Sequence, residues 1–174
     1  PNEDQLDTDS DGQGDVCDKC PEAANPNNGA CPASIYAVNQ EDNVSQGDFI
    51  VIRDAVVTGF GSSGFFIQVP EDSAAYVAPD YSGLYVYAPD FMPALTAGDL
   101  VEIEATVGEY FGGVQLTNPT VSVTGSGQVP APVSVSEADI LRTGAKGEAY
   151  EGVLVQVDNV EVADVSSYDQ YGEV

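Results

Sequence analysis

Gly98-Asp99-Leu100-Val101-Glu102-Ile103-Glu104-Ala105-Thr106-Val107-Gly108-Glu109-Tyr110 is the stretch that decides the fold class. Val101, Ile103, Ala105 and Val107 share one parity, and Glu102, Glu104 and Thr106 share the other. Apolar and polar side chains that alternate with a period of two describe a strand with one buried and one wet face. The spacing predicts one long strand from Asp99 to Tyr110. Gly112-Gly113 then marks a turn, and Val114 to Val123 reads as the returning strand.

Upstream the same texture begins at about Ser34. Phe49-Ile50-Val51-Ile52 leads into Ala55-Val56-Val57-Thr58, and a Gly/Ser turn at Gly59 to Gly64 separates it from Phe65-Phe66-Ile67-Gln68-Val69. Gly83-Leu84-Tyr85-Val86-Tyr87 follows. Five strands of this kind, coiled by glycines, predict a mainly β domain over residues 34–128, built as a small closed or nearly closed barrel. Downstream, Val129 to Pro132 is a connector. Val135 to Leu141 predicts a short helix capped by Ser134 or Ser136. Strand texture returns at Tyr150, Gly152 to Val157 and Val160 to Val162. Residues 150–160 read loosely like residues 47–57, so residues 129–174 are expected to hold a linker, a short helix and the start of a further β unit.

Residues 1–33 differ in kind. They carry almost no core-forming residues except Leu6 and Val16, so hydrophobic burial cannot offset their backbone entropy. A metal and a disulfide are the available substitutes. Asp7, Asp9 and Asp11 alternate, Gly12 and Gly14 follow, and Asp15 and Asp18 come after. Calcium takes about 6–8 hard oxygen ligands in a flexible shell, and alternate carboxylates can wrap one ion where a glycine lets the backbone turn. Asp7, Asp9 and Asp11 would give side-chain oxygens and Gln13 its backbone carbonyl, with Asp15 and Asp18 closing the shell. Without a cation, five clustered carboxylates repel one another. The spacing is that of a helix-loop-helix calcium loop, but neither flank is an amphipathic helix and the last ligand is Asp, not Glu. Three cysteines, all between Cys17 and Cys31, sit beside this loop. Such crowding predicts disulfide stapling in an oxidising compartment. Zinc fits less well, because the chain has no His and three thiols are an incomplete structural set.

The string Asp7-Thr8-Asp9-Ser10-Asp11-Gly12-Gln13-Gly14-Asp15-Val16-Cys17-Asp18-Lys19-Cys20-Pro21, followed by Asn25-Pro26, resembles the thrombospondin type 3 repeat over roughly residues 1 to 32. The resemblance implies a coreless chain wrapped around calcium and stapled by disulfides. It implies a Cys20–Cys31 bond, and for Cys17 a partner upstream of Pro1, with at least one repeat preceding. This chain departs from the family at Asn27 to Cys31, which holds no second aspartate ladder. One well-formed calcium loop is therefore expected, with Asn2, Asp4, Asn25 and Asn27 as candidates for extra ligands. The strand set from about Ile35 onward resembles the OB-type barrel of bacterial extracellular nucleases and surface proteins, through Gly64 to Gln68, Ser82 to Tyr87, Gly98 to Val101, Val107 to Tyr110 and Tyr150 to Val155.

Charge narrows the function. There are 29 Asp and Glu against 4 Lys and Arg, a net charge of −25. Such a surface repels phosphate backbones and anionic membranes and attracts divalent cations. Phe65, Phe66, Tyr81, Tyr85, Tyr87, Tyr110 and Phe111 could stack bases, but only Lys19, Arg53, Arg142 and Lys146 could meet phosphate. Without His there is no imidazole for phosphodiester chemistry. Glu102 and Glu104 read as a solvated strand face, not a glycosidase pair. No apolar run approaches the ~20 residues of a membrane span. Asn43-Val44-Ser45 is the sole open N-glycosylation triplet, since Pro119 blocks Asn118-Pro119-Thr120. The expected role is a non-catalytic, calcium-binding structural or interaction module of a bacterial extracellular or surface protein. Its expected partners are proteins. The alternative is an accessory domain of a secreted nuclease that binds single-stranded nucleic acid. The chain opens at Pro1 without Met, as a processed or excised segment would. If both ends were the protein's own, the last strands would need a sheet edge from a neighbouring copy, and repetition of that contact would give a filament.

Overall fold

The long strand forms as its alternation predicts, as β5 (Asp99–Tyr110). Val101, Ile103, Ala105 and Val107 are buried, while Glu102, Glu104 and Thr106 are at least partly exposed. A computed structural model of the chain describes residues 6–89, 94–141 and 144–161. The strands, in chain order, are β1 (Cys31–Pro32), β2 (Phe49–Gly61), β3 (Gly64–Gln68), β4 (Gly83–Tyr87), β5, β6 (Gly113–Ser126), β7 (Val133–Val135) and β8 (Val155–Val157). Two short helices, α1 (Ile35–Asn39) and α2 (Glu137–Ile140), and a 3₁₀ turn at Glu148–Tyr150 complete the set.

Hydrogen-bonded neighbours run β1-β2-β3-β4-β6-β5, and β2 also pairs with β5. That last pairing closes five strands, β2-β3-β4-β6-β5, into a ring. All pairs in the ring are antiparallel except β4–β6, which is parallel. Full closure removes the open edges that invite aggregation. The interior is filled by alternate residues of every strand, including Ile50, Ile52, Phe65, Ile67, Leu84, Val86, Ile103 and Leu116. Each such side chain contributes about 1.5–3 kcal/mol on leaving water. β2 bends where its register with β5 shifts between Ile52 and Ala55. Asp54 takes a φ of 56° inside that bulge, a conformation Asp tolerates better than most residues.

Four features differ from the sequence reading. Val133–Val135 form strand β7, so the helix expected from Val135 to Leu141 is only Glu137–Ile140. The stretch after Ser34 is a helix, not a strand: Ser34 Oγ accepts the Ala37 N–H at 3.0 Å, and Ile35 and Val38 enter the core. The turn between β2 and β3 is only Ser62-Ser63, because the strands extend to Gly61 and from Gly64. Residues 150–157 do not repeat the first barrel strand. They begin as the end of a 3₁₀ turn, bend at Gly152 (φ 74°), and form a strand only at Val155–Val157, which pairs in parallel with β7. Val160 and Glu161 are in no strand, and Val162 lies outside the described residues.

The C-terminal segment packs on the barrel. Gly152 meets Gly83 so closely that a Cβ on Gly83 would come within 2.2 Å of the Gly152 carbonyl. The Leu154 N–H donates to the Oε1 of buried Gln68 at 3.1 Å, and the Tyr81 N–H donates to the Ala149 carbonyl at 2.6 Å. Lys146 pairs with Asp80. At the other end, β1 lies parallel to the start of β2, with Cys31 opposite Ile50. The coreless N-terminal loop is thereby tied to the barrel sheet.

Candidate metal centre

In the aspartate loop, Asp7, Asp9 and Asp18 each use one carboxylate oxygen to shape the backbone, and Asp11 uses both. Asp9 Oδ1 accepts the Asp11 N–H, Asp11 Oδ1 accepts the Gln13 N–H, and Asp18 Oδ1 accepts the Cys20 N–H, each two residues along. Asp7 Oδ2 accepts the Gly12 N–H at 3.1 Å. These Asx-type turns coil the chain around its own side chains. Gly12 permits the coil, because its φ of 98° is open to glycine and rarely to any other residue. The Asp15 N–H closes the loop onto the Leu6 carbonyl at 2.8 Å.

The second oxygens define the centre. Asp7 Oδ1, Asp9 Oδ2 and Asp18 Oδ2 are buried without a hydrogen-bond partner, and so is Asn25 Oδ1. Asn25 is 3% exposed, and its backbone N–H donates to Asp11 Oδ2 at 3.0 Å, which seats the 20–31 loop against the aspartates. Asp7, Asp9 and Asp11 each bring a carboxylate oxygen within 4.8 Å of the others. Oxygens on opposite sides of one calcium ion, each about 2.3–2.6 Å from it, would be about that far apart. An acceptor oxygen shut off from water and left without a donor is disfavoured, more so when charged, and a cation would satisfy it. The donor set is oxygen throughout, which suits a hard cation and not a thiophilic one. These residues fit a metal ion.

Electrostatics agree with the geometry. Partial burial pushes the Asp9 carboxyl above its ordinary pKa, the Asp11 N–H opposes the rise, and the charges of Asp11, Asp18 and Asp7 add to it. Asp15 behaves oppositely. Its Oδ2 accepts the Thr8 hydroxyl at 2.7 Å and its Oδ1 the Thr8 N–H at 2.8 Å, and these bonds hold its pKa down.

Of the residues the sequence nominates, the structure gathers Asp7, Asp9 and Asp11, and places Asp18 within electrostatic reach of Asp9. Asp15 is held by Thr8, a residue whose part the sequence reading missed. Gln13 meets Asn28 through its side-chain oxygen, leaving its Nε2 buried and unpartnered. Exchanging the ends of both amides keeps that bond and puts a Gln13 oxygen where the nitrogen stands. Asn27 is exposed, and Asn2 and Asp4 lie outside the described residues.

Cys20 and Cys31 form a disulfide with Cα atoms 5.8 Å apart, and Cys17 is an exposed free thiol. Such a bond points to an oxidising compartment. Among the nominated aromatics, Phe65 is wholly buried in the barrel and cannot stack a ligand. Phe66 and Tyr85 pack with centroids 4.9 Å apart, while Tyr110 and Phe111 project at the β5–β6 turn. Arg53 binds Glu102 at 2.9 Å and Lys146 binds Asp80, so two of the four cations are occupied; Arg142 lies outside the described residues. No helix among the described residues is long and apolar enough to cross a membrane. In comparison with known proteins, the chain matches no family model, no curated protein and no solved structure.

Proposed function

We propose that this chain is a calcium-dependent structural module of an extracellular protein, in which an ion at the aspartate loop rigidifies a segment that has no core of its own. The observation that carries the reading is the set of buried oxygens on Asp7, Asp9, Asp18 and Asn25 that find no donor. Asp7, Asp9, Asp11 and Asp18 would hold the ion, with Asn25 adding a neutral oxygen. The ion supplies charge neutralisation and order, and no reaction. The loop resembles the thrombospondin type 3 repeat, and the order and closure of the five strands support the OB-type reading of the barrel. The barrel then serves as the interaction body. Its partners are proteins, because a net charge of −25 opposes phosphate ligands.

Hydrogen exchange with and without calcium tests this. Calcium should protect the backbone amides of Gly12, Gln13, Cys20 and Asn25 and leave those of β5 and β6 unchanged. Unchanged exchange at the four loop amides would remove the reading. Light scattering in the same titration reports whether copies of the chain also associate.

A further inference from the structure

The loop between α1 and β2 carries a feature the metal centre does not use. Asn43-Val44-Ser45 sits there on an anchored turn. Val44, the middle residue, is 8% exposed and joins the core. Gly47 N–H donates to the Val107 carbonyl, and Val107 N–H to the Asp48 carbonyl, both at 2.9 Å, so β5 holds the base of the turn. Asp48 Oδ2 accepts the Ser45 N–H at 2.8 Å. Asn43 itself is exposed, in the left-handed conformation that Asn tolerates (φ 56°). Among the described residues its Nδ2 donates only to the carboxylate of adjacent Asp42, at 3.2 Å. The amide is thus presented outward while its neighbour fixes the turn. Asn118 offers the contrast: it lies within β6, and Pro119 locks the residue that would have to turn.

We propose that Asn43 is an N-glycosylation site. The acceptor is the Asn43 amide, and the donor is an oligosaccharide carried on a lipid pyrophosphate, met during export. A bond forms between Nδ2 and the anomeric carbon of the first sugar. The bond from that carbon to the pyrophosphate oxygen breaks, and the lipid pyrophosphate leaves with the electron pair. Nδ2 gives up one of its two protons to solvent, which balances the charge of the departing pyrophosphate. Ser45 supplies the hydroxyl two residues on that this chemistry requires. The disulfide Cys20–Cys31 agrees with an exported, oxidising route. A glycan here adds neutral, hydrated bulk over an exposed turn and needs no rearrangement of the barrel.

The test is mass spectrometry of the protein purified from its source. Cleavage after Lys19 and Arg53 releases residues 20–53 as one peptide, which holds Asn43 and the disulfide together. The expected result is a peptide heavier by a whole number of sugar residues. An amidase that removes Asn-linked sugars should leave Asp at position 43. Asn43→Gln and Ser45→Ala should each abolish the added mass, while Ser45→Thr should keep it. An unmodified peptide overturns the proposal, and its disulfide state tells whether the oxidising route is also wrong.

Discussion

Asp15 and Asp18 carry the same functional group and do different work. Asp15 spends both oxygens on Thr8, whereas Asp18 spends one on the Cys20 N–H and keeps the other turned away from any donor. Removing Asp18 should therefore remove a ligand, and removing the Thr8 hydroxyl should only loosen the loop. We expect Thr8→Val to weaken calcium binding by about tenfold, as second-layer changes at metal sites do. Asp18→Asn and Asp9→Asn should weaken it more, in calorimetric titrations of each variant. Equal affinities for all three would show that the loop is shaped by something other than these bonds. A separate residue-scale prediction concerns Asp139. The Ser136 hydroxyl and N–H hold its pKa below the ordinary carboxyl value. A lowered carboxyl pKa contributes stability above the unfolded value, and that contribution is lost as pH falls through the folded one. Ser136→Ala should raise the Asp139 pKa, read by NMR titration. An unmoved pKa would contradict the capping box seen at α2.

At the scale of elements, the five barrel strands were legible because each is long enough to show its period and carries its own turn residues, whereas the two- and three-residue strands β1 and β7 were not. β5 is the clearest case; α2 was read as Val135 to Leu141 with Ser134 or Ser136 as its cap, and forms at Glu137–Ile140 with Ser136 as the cap. α1 was not legible: five residues make barely more than one turn, so Ile35 and Val38 read as strand texture until burial of both and the Ser34 cap decide for helix. The apolar alternation after Gly152 likewise reads as strand. Only contact with the barrel, distant in sequence, bends it. That contact yields a prediction. Gly83→Ala drives a methyl into the Gly152 backbone, with no flexible side chain to yield. It should cost about 1–3 kcal/mol and free residues 144–155 to faster hydrogen exchange. Normal protection of that segment would show that the close approach is not a packing constraint. The clustering of Asp7, Asp9 and Asp11 was legible from their alternation. Thr8 as the keeper of Asp15 was not, because a threonine between aspartates carries no signal of which oxygen it will meet.

At the scale of the whole molecule, two kinds of stabilisation meet at Cys31. The barrel is held by buried aliphatic side chains, and Phe65→Ala at its centre should cost about 3–5 kcal/mol in chemical denaturation with no change in calcium affinity. The N-terminal segment is held by the disulfide and, in the proposed reading, by the ion. Replacing both Cys20 and Cys31 by Ser should destabilise that segment by about 3 kcal/mol, the entropy a short closed loop withholds from the unfolded chain. The measurement that bears most directly on the central claim is a calorimetric calcium titration of the intact, oxidised chain, with Asp9→Asn alongside. The account predicts saturable binding that Asp9→Asn greatly weakens. No heat at millimolar calcium, or binding indifferent to Asp9→Asn, would contradict it.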